Sequence, residues 1–472
     1  MNILEAKNEI KSAVRIYLEK DENGDYVIPE ERQRPIFLIG APGIGKTAIM
    51  SSIADELKIG YIGYTITHHT RQSAIGLPFI AQKEYGGKTY SVTEYTMSEI
   101  VASVYDAIEK QGKKEGILFI DEINCVSETL APAMLELLQR KKFGPHKIPD
   151  GWILTAAGNP EEYNKSVNEL DMVTLDRVKK IVVEPDYDAF KTYAYNSGIH
   201  DSVISFLSLH NEYLFKSERS ANGFYFVTPR GWEDLSTAIR EYERLSIEVT
   251  EQFVSQYVQH PQAAAEYMRF YKIYNRFEEL KSGEKIENGE VEKTDLSEDN
   301  FEVRYALAEI LRAKAVKVAE KASEKLEAIE YMEEVVSKAQ KDSRVLIGET
   351  ESLIKNLNGN KWNRYKKSAY KPIIDIFESQ NSQKASEKYK EECSLYADKA
   401  LKKIANVLSF GLKSLGKSQE FIALTSGMIA NESFISLITR AGWADIYPFF
   451  DGLDTSYLGT LKDKAKRLVK NV

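Results

Sequence analysis

The spacing of apolar residues changes character near residue 185. Before it, short apolar runs alternate with stretches whose apolar positions recur every three or four residues; from Pro185 onward the helical spacing continues without intervening strands. Ile3, Ala6, Ile10, Val14 and Leu18 predict an amphipathic helix over residues 4–20. Ile36 to Ile39 reads as a strand, and Ile49, Ile53 and Leu57 mark a helix over Ala48 to Leu57. A second strand is expected over Tyr61 to Thr67. Phe79 to Tyr85 and Lys88 to Val92 flank Gly86-Gly87 as the arms of a hairpin. Met97 to Lys110 is helical, Gly116 to Ile120 is a buried strand, and Ser127 to Arg140 is a helix through Leu130, Met134, Leu137 and Leu138. Trp152 to Ala157 and Ile181 to Glu184 supply two more strands. Strands alternating with helices in this way predict an open parallel sheet.

The loop after the first strand carries the chemistry. Gly40-Ala41-Pro42-Gly43-Ile44-Gly45-Lys46-Thr47 matches the phosphate-loop pattern G-x-x-x-x-G-K-[ST] at every fixed position, with Ala48 opening the helix behind it. Gly40, Gly43 and Gly45 let the backbone curl so that its N–H groups converge, and the helix start adds positive potential. Lys46 is placed to meet the outer phosphates of ATP. The Thr47 hydroxyl suits Mg²⁺. Further on, the strand ending in Asp121-Glu122 brings two carboxylates to the sheet's carboxyl end, where ligands bind. Asp121 would hold Mg²⁺ and Glu122 would act as general base toward the attacking water.

Asn159 ends the Trp152 strand, where it can orient water or touch the γ-phosphate; its plain alternative is an Asn-Pro turn residue. Arg177 follows a helical stretch, as a salt-bridged helix end or as an arginine finger reaching a neighbouring subunit. Pro229 stands in the first turn of the next helix, which puts Arg230 near that helix's start. Tyr26, Val27 and Ile28, upstream of the loop, are candidates for holding adenine.

Composition narrows the class. The chain has 472 residues, 43% hydrophobic and 28% charged, a soluble globular profile. Its apolar runs are too short to cross a bilayer, and its amino terminus does not read as a signal peptide, so a cytoplasmic location is expected. Cys125 and Cys393 make no disulfide framework, and neither the cysteines nor the six histidines, His68-His69 included, show metal-ligand spacing. A net charge of −8 argues against general nucleic-acid affinity. The charge is uneven, though: Lys355 to Lys417 holds fourteen Lys/Arg against six Asp/Glu, a local +8.

In its order of motifs the chain resembles AAA+ ATPases. Phe79 to Val92 looks like the helix-2 insert and Lys141 to Gly151 like the pre-sensor-1 hairpin. Ala156-Ala157-Gly158-Asn159-Pro160, Leu175-Asp176-Arg177 and Thr228-Pro229-Arg230-Gly231 are similar to the MoxR family's sensor 1, arginine finger and sensor 2. The resemblance spans residues 3–280. It implies an α/β P-loop AAA+ core (a parallel sheet with helices on both faces and hairpin insertions), then an all-α lid and an all-α C-terminal region. It also implies Asn159 as sensor 1, Arg177 as the finger and Arg230 as sensor 2, in a homo-hexameric ring with ATP sites between subunits. Chaperone-like remodelling of a protein is the implied activity, often with a von Willebrand factor A domain partner. One departure is Val178, where the family usually has Phe.

The expected division is 1–185 for the nucleotide-binding domain, 186–281 for the lid, 282–300 for a linker or exposed insertion, and 301–472 for the C-terminal region. In that last region Val303, Leu307, Leu311, Ala315, Val318, Ala322, Leu326, Ile329 and Val336 predict one long helix with a single apolar stripe. Beyond it the pattern stays helical, with an aromatic cluster at Trp443, Tyr447, Phe449 and Phe450. Two alternatives to a protein remodeller are a nucleic-acid motor or loader tracking phosphates with the basic window, and a nucleotide-gated structural subunit.

Overall fold

The computed structural model describes all residues except 69, 164–166, 168–169, 221–222, 278–279, 281–283, 338–342, 357–363, 380–381, 443 and 451–472. The chain divides into two compact units: Met1–Ala189 with Thr228–Gly231, and Phe190–Val227 with Trp232–Val472.

The first unit is built on a five-stranded parallel sheet: β1 (Ile36–Gly40), β2 (Gly60–Thr65), β5 (Gly116–Asp121), β8 (Trp152–Gly158) and β9 (Lys179–Val183), in the spatial order β2-β5-β8-β1-β9. Two antiparallel pairs stand outside it, β3 (Pro78–Tyr85) with β4 (Lys88–Tyr95) and β6 (Lys142–Phe143) with β7 (His146–Lys147). The central strands are apolar throughout because helices cover both faces. Phe37, Leu38, Leu118, Ile120, Leu154 and Ala156 are fully buried. Each large side chain of this set contributes roughly 1.5–3 kcal/mol by leaving water. At the sheet's amino end the Trp152 indole lies over Gly60 and Gly116; a Cβ on either would come within 2.8 or 2.7 Å of it.

Helix α1 (Ile3–Leu18) starts with Asn2 capping the Glu5 N–H. It packs on α2 (Lys46–Leu57), with Lys7 Nζ donating to Ser52 Oγ at 2.8 Å. α3 (Arg71–Ile75) leads into the β3–β4 hairpin, whose Gly86 and Gly87 both take positive φ, as a two-residue turn that matches strand twist requires. α4 (Glu99–Gln111) follows. α5 (Ala131–Arg140) is shorter than the sequence predicts: Ser127–Leu130 forms a turn, and the helix begins where Pro132 can occupy its first turn. α6 (Met172–Leu175) is a single turn capped by Asp171.

The second unit is mostly helical: α7 (Tyr187–Asn196), α8 (Asp201–Leu209), α9 (Pro229–Arg244), α10 (Glu251–Val254) and α11 (Pro261–Asn275), then α12 (Phe301–Ser337), α13 (Ser343–Asn356), α14 (Arg364–Glu378), α15 (Ser382–Leu415), α16 (Gln419–Ala430) and α17 (Glu432–Ala441). One antiparallel hairpin, β10 (Lys216–Ser220) with β11 (Gly223–Val227), interrupts helices where the sequence predicts helices alone. Its polar first strand is largely exposed and so leaves no alternating pattern to read. Phe206 centres an aromatic core, 5.6 Å from the Trp232 ring and 5.4 Å from Tyr267.

α12 is buried on more than the predicted stripe. Ala306, Ala308, Ile310, Val316 and Ala319 are buried beside Leu307, Leu311 and Ala315, because α14, α15, α16 and α17 surround it. Even Arg312 is 2% exposed, its Nε donating to Glu309 at 2.7 Å and its guanidinium 4.1 Å from the Tyr195 ring centre. Residues 284–300 lie along α15. Lys403 Nζ donates to Glu284 at 2.9 Å, Asn406 Nδ2 to Glu287 O at 2.8 Å and the Thr294 N–H to Ser414 Oγ at 3.0 Å. Ile286 and Leu296 are buried there, two apolar anchors that the surrounding polar run conceals. In the expected aromatic cluster Phe450 is buried 5.9 Å from the Phe434 ring, while Tyr447 is exposed; Trp443 lies outside the described residues.

Candidate nucleotide site

β1 lies between β8 and β9, so the loop that follows it opens at the carboxyl end among the ends of three strands. Gly43 and Gly45 have φ of +75° and +94°, which glycine alone adopts freely. Gly40 serves another purpose than curling the backbone: a Cβ there would sit 2.5 Å from the Val183 carbonyl, so it permits close packing against β9. α2 begins at Lys46 itself, directly behind the loop. Its N-terminal end adds positive potential there.

Lys46 is 7% exposed. Its ammonium donates to the carbonyls of Gly40 and Ala41 at 2.7 and 2.8 Å and to Asn159 Oδ1 at 3.1 Å. Burial pushes its pKa down to about 8; Asp121 opposes that shift and Arg230 adds to it. Thr47 Oγ1 donates to Asp121 Oδ2 at 2.6 Å. Among the described residues no group of three or more His, Cys, Asp or Glu could cage a metal. A hydroxyl beside a lone carboxylate instead fits Mg²⁺, a hard cation that takes oxygen ligands and shares them with phosphates and water.

Glu122 has φ of +58°, a left-handed conformation costing a side-chain-bearing residue about 1–2 kcal/mol. Two backbone bonds hold it: the Cys125 N–H donates to Glu122 O at 2.9 Å and the Ile123 N–H to Ala157 O at 3.0 Å. Its carboxylate accepts from Thr67 Oγ1 at 2.8 Å. Sequence reasoning read Thr67 only as the end of a strand, and assigned nothing to Asn124, which is hydrogen-bonded to both backbone groups of Asn159. The signal available for each was position: a polar side chain just past a strand at the catalytic end of the sheet.

The other expected residues divide. Arg230 is exposed, yet its backbone N–H donates to Gly43 O at 3.2 Å, and the Thr228 side chain abuts Gly43. Arg177 does not join the cluster; it is exposed and donates to Gln139 Oε1 on α5 at 2.5 Å. Val178 beside it belongs to the buried core. Tyr26 stands at the opposite end of the sheet. Its hydroxyl is 3.4 Å from Glu115, which precedes β5, whereas Asp121 ends that strand. Six residues of strand separate the two ends by about 17 Å, so Tyr26 is not an adenine contact in this arrangement. His69 lies outside the described residues.

Residues 35–178 match the family model described as AAA domain (dynein-related subfamily). This part of the chain is an AAA domain. A domain of this family implies nucleotide binding. No curated protein matches the chain. Among solved structures it is similar to a Cytophaga hutchinsonii protein described as an ATPase, at 18% identity and a TM-score of 0.21, covering 39% of this chain and 52% of that one. It is also similar to Caenorhabditis elegans PCH-2, at 15% identity and a TM-score of 0.28, covering 56% and 69%. The chain thus spans about half the length of the first. Neither likeness is close enough to carry a substrate or partner across.

Proposed function

We propose that this AAA ATPase is MoxR-like, a member of the helix-2-insert clade, and couples ATP hydrolysis at subunit interfaces to chaperone-like remodelling of a protein partner. The observation that carries the reading is the single cluster formed by Lys46, Thr47, Asp121, Glu122 and Asn159 at the carboxyl end of the sheet. In the proposed mechanism the loop from Gly40 to Ala48 cradles the phosphates, and Lys46 exchanges its carbonyl partners for phosphate oxygens. Thr47 and Asp121 would hold Mg²⁺, which would neutralise charge on the outer phosphates. Glu122 accepts a proton from the attacking water, and Asn159 holds the γ-phosphate or that water in line. Arg230 reads the phosphates from beside Gly43.

Arg177, exposed and hydrogen-bonded to Gln139 of its own subunit, is proposed to act on a neighbour's nucleotide in a homo-hexameric ring. Residues 186–281 would act as the lid, and 301–472 would engage the partner, of which a von Willebrand factor A domain protein is the proposed class. A cytoplasmic setting fits this reading; among the described residues no single helix is long and apolar enough to cross a membrane. A net charge of −8 favours a protein partner over nucleic acid, and in the basic window Lys403, Lys413 and Lys390 are paired with Glu284, Glu292 and Glu333. The test is Glu122→Gln. It should keep ATP bound while turnover falls by about two to four orders of magnitude, the usual range for a lost general base; undiminished hydrolysis would remove Glu122 from the mechanism.

A further inference from the structure

We infer that Asn124 is a positioning residue that locks the turn carrying Glu122 to the strand end carrying Asn159, so that base and sensor address the same phosphate. The inference rests on the hydrolytic roles proposed above for Glu122 and Asn159.

Asn124 is 5% exposed and lies two residues after Glu122. Its Nδ2 donates to the Asn159 carbonyl at 2.8 Å, and its Oδ1 accepts the Asn159 N–H at 3.2 Å. One bond would let the strand end hinge; two, to both backbone groups of one residue, fix its position and its rotation. The approach is close enough to require Gly158, where a Cβ would stand 2.5 Å from Asn124 Oδ1. With its backbone held in this way, Asn159 presents its side chain to Lys46 Nζ at 3.1 Å. On the other side, the Cys125 N–H to Glu122 O bond closes the turn that aims the base. A single carboxamide therefore joins the two catalytic segments.

Only a short side chain with both a donor and an acceptor can do this. An aspartate at 124 could accept the Asn159 N–H, but when ionised it would set a carboxylate against the Asn159 carbonyl. Protonation would restore the donor. That makes the role separable from simple packing.

The experiment uses the full-length protein with Asn124→Ala, Asn124→Asp and, as reference, Asn159→Ala. Steady-state hydrolysis gives kcat and KM, a fluorescent ATP analogue gives Kd, and thermal melting gives the folded fraction. For Asn124→Ala we expect kcat to fall about 10- to 100-fold, as for an ångström-scale misplacement of a catalytic group, with Kd within about threefold of wild type. For Asn124→Asp the kcat relative to wild type should be low at pH 8 and recover as pH is lowered toward 5.5. If Asn124→Ala fails to fold, that pH-dependent ratio decides. Wild-type kcat in Asn124→Ala beside an impaired Asn159→Ala would overturn the inference alone. So would losses that merely follow Kd and the folded fraction, with a ratio flat in pH for Asn124→Asp. A fully active Asn159→Ala would instead overturn the reading of the site, and the inference with it.

Discussion

Thr67 Oγ1 donates to Glu122 Oε2 at 2.8 Å, which ties the turn after β2 to the carboxylate just past the end of β5. The two strands run in parallel with Thr65 in register with Asp121, so a hydroxyl two residues further on meets the next carboxylate along. The strained backbone of Glu122 aims its side chain from one end, and Thr67 holds it at the other. Thr67→Val keeps the shape and removes the donor. Its kcat is expected to fall about tenfold with KM unchanged, the loss of one hydrogen bond made by a charged group, while Thr67→Ser retains activity. Steady-state rates decide. A variant faster than wild type would mean that Thr67 restrains the base instead of aiming it.

Lys46 is expected to make ATP binding pH-dependent. Burial holds its pKa at about 8 while the site is free of phosphate. Anionic phosphates favour the charged form, so binding must take up a proton once the pH exceeds that value. Affinity should be level below pH 8 and weaken above it, by up to about tenfold per pH unit. Titration with a fluorescent ATP analogue from pH 6.5 to 9.5 checks this, and Lys46→Ala should be weak and much flatter. An equal slope in both proteins would assign the dependence to another group.

The strand–loop–helix around Lys46, the Asp121-Glu122 pair and Asn159 were legible because each combines a residue type with a strand end, and strand ends can be read from apolar runs. Thr67 and Asn124 were not, since a lone Thr or Asn after a strand is most often a turn residue, and only the fold shows what it meets. Gly40 was recognised and its role misread: a motif shows that glycine is needed, not whether φ or a neighbour requires it. The hairpin at 216–227 was hidden by exposure, which leaves its polar first strand without a buried face. Ile286 and Leu296 were masked by the acidic residues around them. Tyr26 was proposed from chain proximity to the loop, and proximity in sequence placed it at the wrong end of the sheet.

A second pH effect is expected in the helical unit. Burial, then the nearby Asp201 carboxylate, raises the Glu320 pKa to about 7 against 4.5 for an ordinary glutamate, with Arg312, Lys317 and Arg240 pulling it back. The folded state then keeps this proton where the unfolded chain has lost it. Between about pH 4.5 and 7 the group therefore makes stability fall as pH rises, by ~1–3 kcal/mol in all. Thermal melts of wild type and Glu320→Gln across that range should differ least at low pH and diverge toward pH 7 in favour of the variant. A constant difference would show that Glu320 does not titrate there.

The central claim, ATP hydrolysis completed by a neighbouring subunit, is tested most directly by mixing Arg177→Ala with Lys46→Ala and measuring ATPase activity. Each variant alone should be nearly inactive, one lacking the finger and the other the phosphate-binding lysine. In a mixed ring an intact Arg177 faces an intact Lys46 at some interfaces, so activity should return, and wild-type specific activity should rise with protein concentration as rings form. A mixture no more active than its parts, with a wild-type rate independent of concentration, would contradict the account and leave each chain with a self-contained site.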